Sequence, residues 1–244
     1  MNFFSLFIGL GASLGLLRVL QVSPAATRLR WLSAALITLI GSLIGARIGF
    51  LIAFHQYFAE HPREMVRFDL GGLSWPGAMA GALLFAWLGT RLLGFSPADG
   101  FDRLSRMLLP VAVAVWLGAW LSGVAYGQPL PAGTWWGLQA PDESGLVSLR
   151  VPVQPLAILS LLLVLLVCEG LTRHVKKKGV KAAWLFFAFS VHSLLFSFLR
   201  YDSVQTLFGL RLDSWAAIGL LTFTSIMLVI TLAKPKSQKA VEME

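Results

Sequence analysis

Seven apolar stretches, each near the length of about 20 residues that a helix needs to cross a bilayer, divide this chain and limit what it can fold into. They run over 3–20, 31–54, 71–92, 107–125, 152–171, 182–199 and 213–233 of the 244 residues. Inside hydrocarbon every backbone N–H and C=O must be satisfied by the chain itself, so a span is a helix or a strand of a closed barrel. Barrel strands alternate apolar and polar residues, and these runs are continuous. The expected fold is therefore an all-α integral membrane protein. It is a single seven-transmembrane-helix bundle over 1–233, followed by a polar tail over 234–244, KPKSQKAVEME. Only 13% of residues are charged, against about a quarter in soluble domains.

Charge sets the expected orientation. With the N-terminus outside, fourteen Lys and Arg fall on the inner side, the densest run being RHVKKKGVK at 173–181, and five fall on the outer side. Cytoplasmic loops carry the excess of Lys and Arg, so the tail is expected to be cytoplasmic. The net charge of +8 is thereby explained without nucleic acid. The N-terminus has neither a basic n-region nor a small-residue cleavage pattern, so it reads as a span and not as a removed signal. The single cysteine, Cys168, lies inside a span and excludes an intrachain disulfide. No His, Cys or carboxylate spacing suggests a metal site, and no cofactor is implied.

Small residues recur at four-residue steps: Gly11 and Gly15, then Gly41, Gly45 and Gly49, then Gly77 and Gly81. That spacing puts them on one helix face and lets backbones approach closely. The third span starts unusually, through His61-Pro62, a loop with charges of both signs, and the pair Gly71-Gly72. Loop 55–70 is amphipathic and reads as an interfacial helix, with Phe58, Met65 and Phe68 towards lipid and His55 and His61 in the interface. Two ionisable residues sit inside spans, Arg47 and His192; intramembrane ionisable groups face the bundle interior or a wet cavity. His192, Phe196 and Arg200 share one helix face. Glu169, near the inner end of its span, is expected to meet Lys176 or Arg173.

Taken in order, these pieces resemble the prolipoprotein diacylglyceryl transferase family. GARIGF at 45–50 is similar to that family's G-A-R-L-G-Y, and His61-Pro62 with GGLSWPGAMAG at 71–81 to its H-P and G-G-L-S-F-H-G-G. GAWLSGVAYGQP at 118–129 is similar to its G-N-F-x-N-G-E-x-Y-G-R-P. WWG at 135–137 with Pro141, VPVQP at 151–155 and FSFLR at 196–200 are similar to its P-W-G-x-x-x-P, H-P-S-Q-L-Y-E and V-E-F-F-R. The chain also departs from the family. Pro76, Trp116, Ala119, Ser122, Val124, Val151, Ser193 and Ser197 stand where the family has His, Arg, Asn, Asn, Glu, His, Arg and Glu. The first-span tyrosine has no counterpart.

The resemblance implies a bacterial plasma (inner) membrane protein that moves the diacylglyceryl group of phosphatidylglycerol to a lipobox cysteine of a prolipoprotein. The expected partners are phosphatidylglycerol or another anionic phospholipid and prolipoprotein signal peptides. Such a transfer needs a thiolate and cations to hold the departing phosphate. The candidate substrate-binding residues are Arg47, Arg200, Gly71, Gly72, Gly77, Gly118, Gly123, Tyr126 and Gln154, and the candidate base is His192. The expectation is that Arg47, His192 and Arg200 open onto one lipid-accessible cavity. Three readings stay open on the sequence: an active transferase, a relative that binds phospholipid or prolipoprotein without turnover, and an unrelated transporter.

Overall fold

A computed structural model describes residues 3–67, 71–142 and 144–233. The 234–244 tail, and Phe68 of the amphipathic loop, lie outside the described residues. The helices are α1 (Phe3–Gln21), α2 (Arg28–Ala53), α3 (His55–Glu60), α4 (Trp75–Leu92), α5 (Pro97–Leu104), α6 (Leu108–Leu121), α7 (Val153–Thr172), α8 (Val180–Leu199) and α9 (Leu212–Ala233).

Among the described residues, six helical stretches are long and apolar enough to cross a membrane: 4–21, 25–53, 97–121, 153–172, 180–199 and 212–233. Large apolar side chains such as Leu14, Ile40, Leu163 and Val229 stand exposed on them, as lipid-facing residues do. The mostly helical fold of an integral membrane protein is thus present. The helix matching the expected third span, α4, is not among the six. Trp75, Pro76 and Gly77 at its start and Thr90 and Arg91 at its end lower its hydropathy over 18 residues. Its Ser74 cap accepts a hydrogen bond from Gly77 N–H at 3.4 Å, which leaves the helix to begin directly on the glycine face.

That face is what joins α4 to α2. A Cβ on Gly81 would come within 2.2 Å of the Gly41 carbonyl oxygen. Likewise α1 meets α6 at Gly11, where a Cβ would stand 2.4 Å from the Ala114 Cβ. The four-residue glycine spacing is therefore used for backbone-to-backbone packing, as the sequence suggests.

The helical stretch that holds the expected fourth span starts earlier, at Pro97. Its first part is the amphipathic α5, joined through a 3-10 turn over Ser105–Met107 to α6. The loops also hold two short ribbons that apolar patterning did not show: β1 (Leu138–Pro141) with β2 (Val147–Arg150), and β3 (Thr206–Leu207) with β4 (Leu210–Arg211), both antiparallel. Single bridges tie Gly127 to Arg200 and Pro129 to Arg150. These contacts gather the connections after α6, before α7 and between α8 and α9 at one end of the bundle, here the hairpin end.

At the opposite, basic end, Trp31 stacks on Phe95 at 3.8 Å within a core that includes Val19, Ala35, Ala86 and Leu104. Leu161, Leu165, Leu185 and Phe189 form a second core between α6, α7 and α8. Glu169 does not meet Lys176 or Arg173. It is buried and pairs with Arg18 of α1 and with Arg106 at 3.1 Å. Those residues come from the neighbouring helices, whereas Arg173 and Lys176 lie beyond the end of α7, out in solvent. Phe58 is likewise buried, under the Arg47 guanidinium at 5.4 Å, and so does not turn towards lipid.

Candidate functional site

Between α2, α4, α6 and α8 lies an elongated cavity of about 230 Å³. Each helix contributes a stripe at three- and four-residue steps: Ala78, Met79 and Ala82 from α4, for example, and Val115, Trp116 and Ala119 from α6. Stripes so spaced keep one face of each helix on the hollow. Thr38, Ser42 and Ser105 interrupt an otherwise apolar wall, and charged groups line it only at the hairpin end, where Arg200 and Asp213 stand with Ser193 and Ser197. Such a shape accepts a hydrocarbon chain with a polar group at one end.

Arg200 closes α8 and leaves it in an extended conformation. Its Nε donates to Asp202 Oδ1 at 2.9 Å, its Nη2 to Asp202 Oδ2, and its Nη1 to Asp213 Oδ2 at 3.0 Å. Arg211 donates to Asp202 Oδ1 at 3.1 Å and to the Asp202 carbonyl at 2.8 Å. Two guanidiniums thus meet two carboxylates, and the polar end of the cavity is close to charge balance. Asp202, Arg211 and Asp213 were not singled out in the sequence. Their signal was charges of both signs packed into the short 200–213 connection.

Arg47 and His192 do not line this cavity, which corrects the expectation of one shared hollow. Arg47 is 4% exposed. Its Nε donates to the Met65 carbonyl at 2.9 Å, its Nη1 to those of Gly71 and Gly72 at 2.7 and 3.2 Å, and its Nη2 to that of Glu64. The loop can turn its carbonyls inward because Gly71 and Gly72 adopt φ of +77° and +74°, a region that a side chain disfavours. His192 faces α7. Its Nε2 lies 3.0 Å from Ser160 Oγ and 3.2 Å from the Ala157 carbonyl. Its ring stacks on Phe196 at 4.3 Å, and Phe196 itself lines the cavity.

The remaining candidates are distributed as follows. Gly77 lies in the α2–α4 contact, and Gly118 lies against Phe4 of α1. Gly123, with φ of +66°, ends α6. Gln154 Nε2 donates to the Val124 carbonyl at 3.0 Å. The Tyr126 carbonyl accepts from Tyr201 N–H at 2.8 Å. The Tyr126 ring lies under Arg150, whose guanidinium carbon is 4.7 Å from its centre. Arg150, also missed in the sequence, is 5% exposed and pairs with Asp142 at 3.0 Å. Together these residues tie the loop after α6 to α7, α8 and the β1–β2 ribbon.

Comparison with known proteins decides what this framework is. A family model described as prolipoprotein diacylglyceryl transferase matches residues 1–230. The chain belongs to that family. Phosphatidylglycerol–prolipoprotein diacylglyceryl transferase of Frankia alni is 30% identical over 185 residues, covering 72% of this chain and 48% of the relative. The protein of the same name from Geobacter sulfurreducens is 27% identical over 209 residues, covering 83% of this chain and 76% of the relative. The chain therefore spans about half the length of the first and about three quarters of the second.

Family membership sets aside the reading as an unrelated transporter. It also gives the cavity a meaning. Positions where the sequence departs from the transferase motifs, Trp116, Ala119, Ser193 and Ser197, line the hollow together with the retained Arg200. Four of the eight departing positions thus share one place, and Pro76, Ser122, Val124 and Val151 do not line it.

Proposed function

We propose that this family member holds phosphatidylglycerol in the apolar cavity, with the head group at the Ser197, Arg200 and Asp213 end, and serves lipoprotein biosynthesis. The observation that carries this reading is that Trp116, Ala119, Ser193, Ser197 and Arg200 line one largely apolar cavity with a charged end. Arg47, Gly71, Gly72, Gly123, Tyr126 and Gln154 act by building the rim around that end, and Gly77 and Gly118 by seating α4 and α6. The protein is a multi-pass protein of the bacterial inner membrane. We count α4 as the seventh span, since 18 residues of helix reach about 27 Å. The hairpin end faces outward and the basic end the cytoplasm, in keeping with the distribution of Lys and Arg.

In the transfer itself, the sulfur of a lipobox cysteine attacks the glycerol carbon that carries the phosphate. A C–S bond forms, the C–O bond breaks, and glycerol phosphate departs with the electron pair. The thiol proton must first pass to a base. Two groups are candidates: Asp213, on the cavity wall, and His192, stacked on Phe196.

The deciding experiment uses the full chain in vesicles containing phosphatidylglycerol, with a lipobox peptide, and mass detection of the thioether. Product that disappears in Arg200→Gln, and in either Asp213→Asn or His192→Ala, supports transfer and names the base. A second reading, lipid binding without turnover, is favoured by Arg200 being already matched by Asp202 and Asp213. It expects phosphatidylglycerol to copurify, to be lost in Arg200→Gln, and to yield no thioether between pH 6 and 9. Neither product nor retained lipid sinks both.

A further inference from the structure

At the basic end a second opening, a cleft of about 540 Å³, lies between α5 and the connection from α7 to α8. Six cationic side chains line it, Arg103, Arg106, Arg173, Lys176, Lys178 and Lys181, against two carboxylates, Asp99 and Asp102. Both carboxylates are already engaged. Asp102 accepts from the backbone N–H of Gly179 at 2.7 Å and of Ala182 at 2.9 Å, so it caps the start of α8. Asp99 pairs with Arg103 one turn along α5, at 3.3 Å. Arg106 is held by Glu169. Among the described residues the side chains of Arg173, Lys176 and Lys178 make no ion pair or hydrogen bond. Arg173, Lys176 and Lys178, all exposed, thus give the cleft a surplus of unmatched positive charge.

Its back wall is shared with the apolar cavity. Phe101, Leu104, Ser105 and Met107 face the cavity, while Asp102, Arg103 and Arg106 face the cleft. One amphipathic segment therefore separates a hydrocarbon-lined hollow from a basic mouth. We propose that this cleft is a second anion site, at the far end of the bundle from Arg200, that takes a phosphate-bearing group. The head of an acidic phospholipid, with its chains against the outer surface of the helices, meets that description. A free phosphate ester shares the same chemistry. The proposal does not depend on what happens at Arg200.

The test uses the full-length protein in detergent, with native mass spectrometry of retained lipid. Phosphatidylglycerol and phosphatidylcholine with identical chains are offered in equal amounts. Each surface Lys or Arg adds about fivefold to acidic-lipid affinity, so Arg173→Gln/Lys178→Gln is expected to lower the preference for phosphatidylglycerol by about 25-fold. Arg28→Gln/Arg91→Gln, which removes equal charge from the same end outside the cleft, is expected to leave it unchanged. In a second arm, inorganic phosphate is compared with chloride at equal ionic strength, reading the wild-type melting temperature. Stabilisation by phosphate without lipid preference, lost in the cleft variant, supports the site with a soluble ligand. Equal behaviour of the two double variants in both arms overturns the proposal. So does a lipid preference abolished by Arg200→Gln alone, which would assign that lipid to the other end. If the cleft variant fails to insert, wild-type protein stabilised no more by phosphate than by chloride, and showing no lipid preference, overturns it as well. Wild-type lipid preference that phosphate, but not chloride, displaces supports it.

Discussion

Gly45 and Gly77 are in backbone contact. A Cβ on Gly77 would stand 2.2 Å from the Gly45 carbonyl oxygen, and one on Gly45 would stand 2.4 Å from the Gly77 carbonyl oxygen. No side chain fits between these helices, so α2 and α4 are held at the closest approach that two helices allow.

Gly77→Ala must therefore push α4 away from α2. Overpacking of this kind costs about 1–3 kcal/mol, and a loss in that range is expected in thermal unfolding in detergent. Gly9→Ala, where nothing lies within 4 Å of the added Cβ, is the matched control. It is expected to be neutral or slightly stabilising, because Ala favours the helix by about 1 kcal/mol.

Removing the Arg47 guanidinium takes a donor from the carbonyls of Glu64, Met65, Gly71 and Gly72, of which that of Glu64 keeps the Arg67 N–H at 3.1 Å. Arg47→Met is expected to cost about 3 kcal/mol, as several buried acceptors lose their partner. Gly71→Ala should cost about 1 kcal/mol from the left-handed backbone alone. Gly72→Ala should cost more, because its Cβ would also meet the Phe50 ring at 2.5 Å. Ranking the three by melting temperature checks this order.

Asp202 serves Arg200 and Arg211 at once. Asp202→Ala strands two guanidiniums that are largely shielded from water. The expected loss is about 3 kcal/mol, and the Arg200–Asp213 pair alone is not enough to offset it. Adding Arg211→Met to Asp202→Ala should recover part of the loss. A double-mutant cycle on unfolding free energies measures the recovery.

The β1–β2 ribbon should open in acid. Ser144, through its hydroxyl, and then the Leu146 and Ser144 N–H groups and Arg150, hold the Asp142 carboxyl below its ordinary pKa of 3.8, against the opposing effect of burial. A depressed carboxylate contributes stability that is complete above the unfolded pKa and is lost as pH falls through the folded one. Proteolysis between Trp136 and Arg150 is expected to be slow at pH 5 and to accelerate only below about pH 4. Asp142→Asn is expected to be cleaved readily at pH 7.

The glycine faces were legible because helix geometry is local: a step of four residues fixes a shared face whatever the rest of the chain does. The polarity of Arg200 was legible for the same reason, since it ends an apolar run. The partners of these residues were not. Asp202 and Asp213 reach Arg200 because the α8–α9 connection folds back as a ribbon, and Arg18 reaches Glu169 across 151 positions of chain. Arg47 lies inside an apolar segment and Arg200 at the end of one, and both read in the sequence as cations of one site. One faces a loop and the other a cavity, and that difference lies in loop geometry.

Runs of apolar residues long enough to cross lipid, together with the motifs strung between them, determined by themselves that this chain is a helical membrane protein of a known family. That holds because hydrocarbon penalises every unpaired backbone group, which leaves few alternatives. Tertiary structure alone decided where the charges point. Ion pairs and carbonyl cages depend on elements far apart in sequence meeting within about 3 Å, and no local pattern encodes that distance.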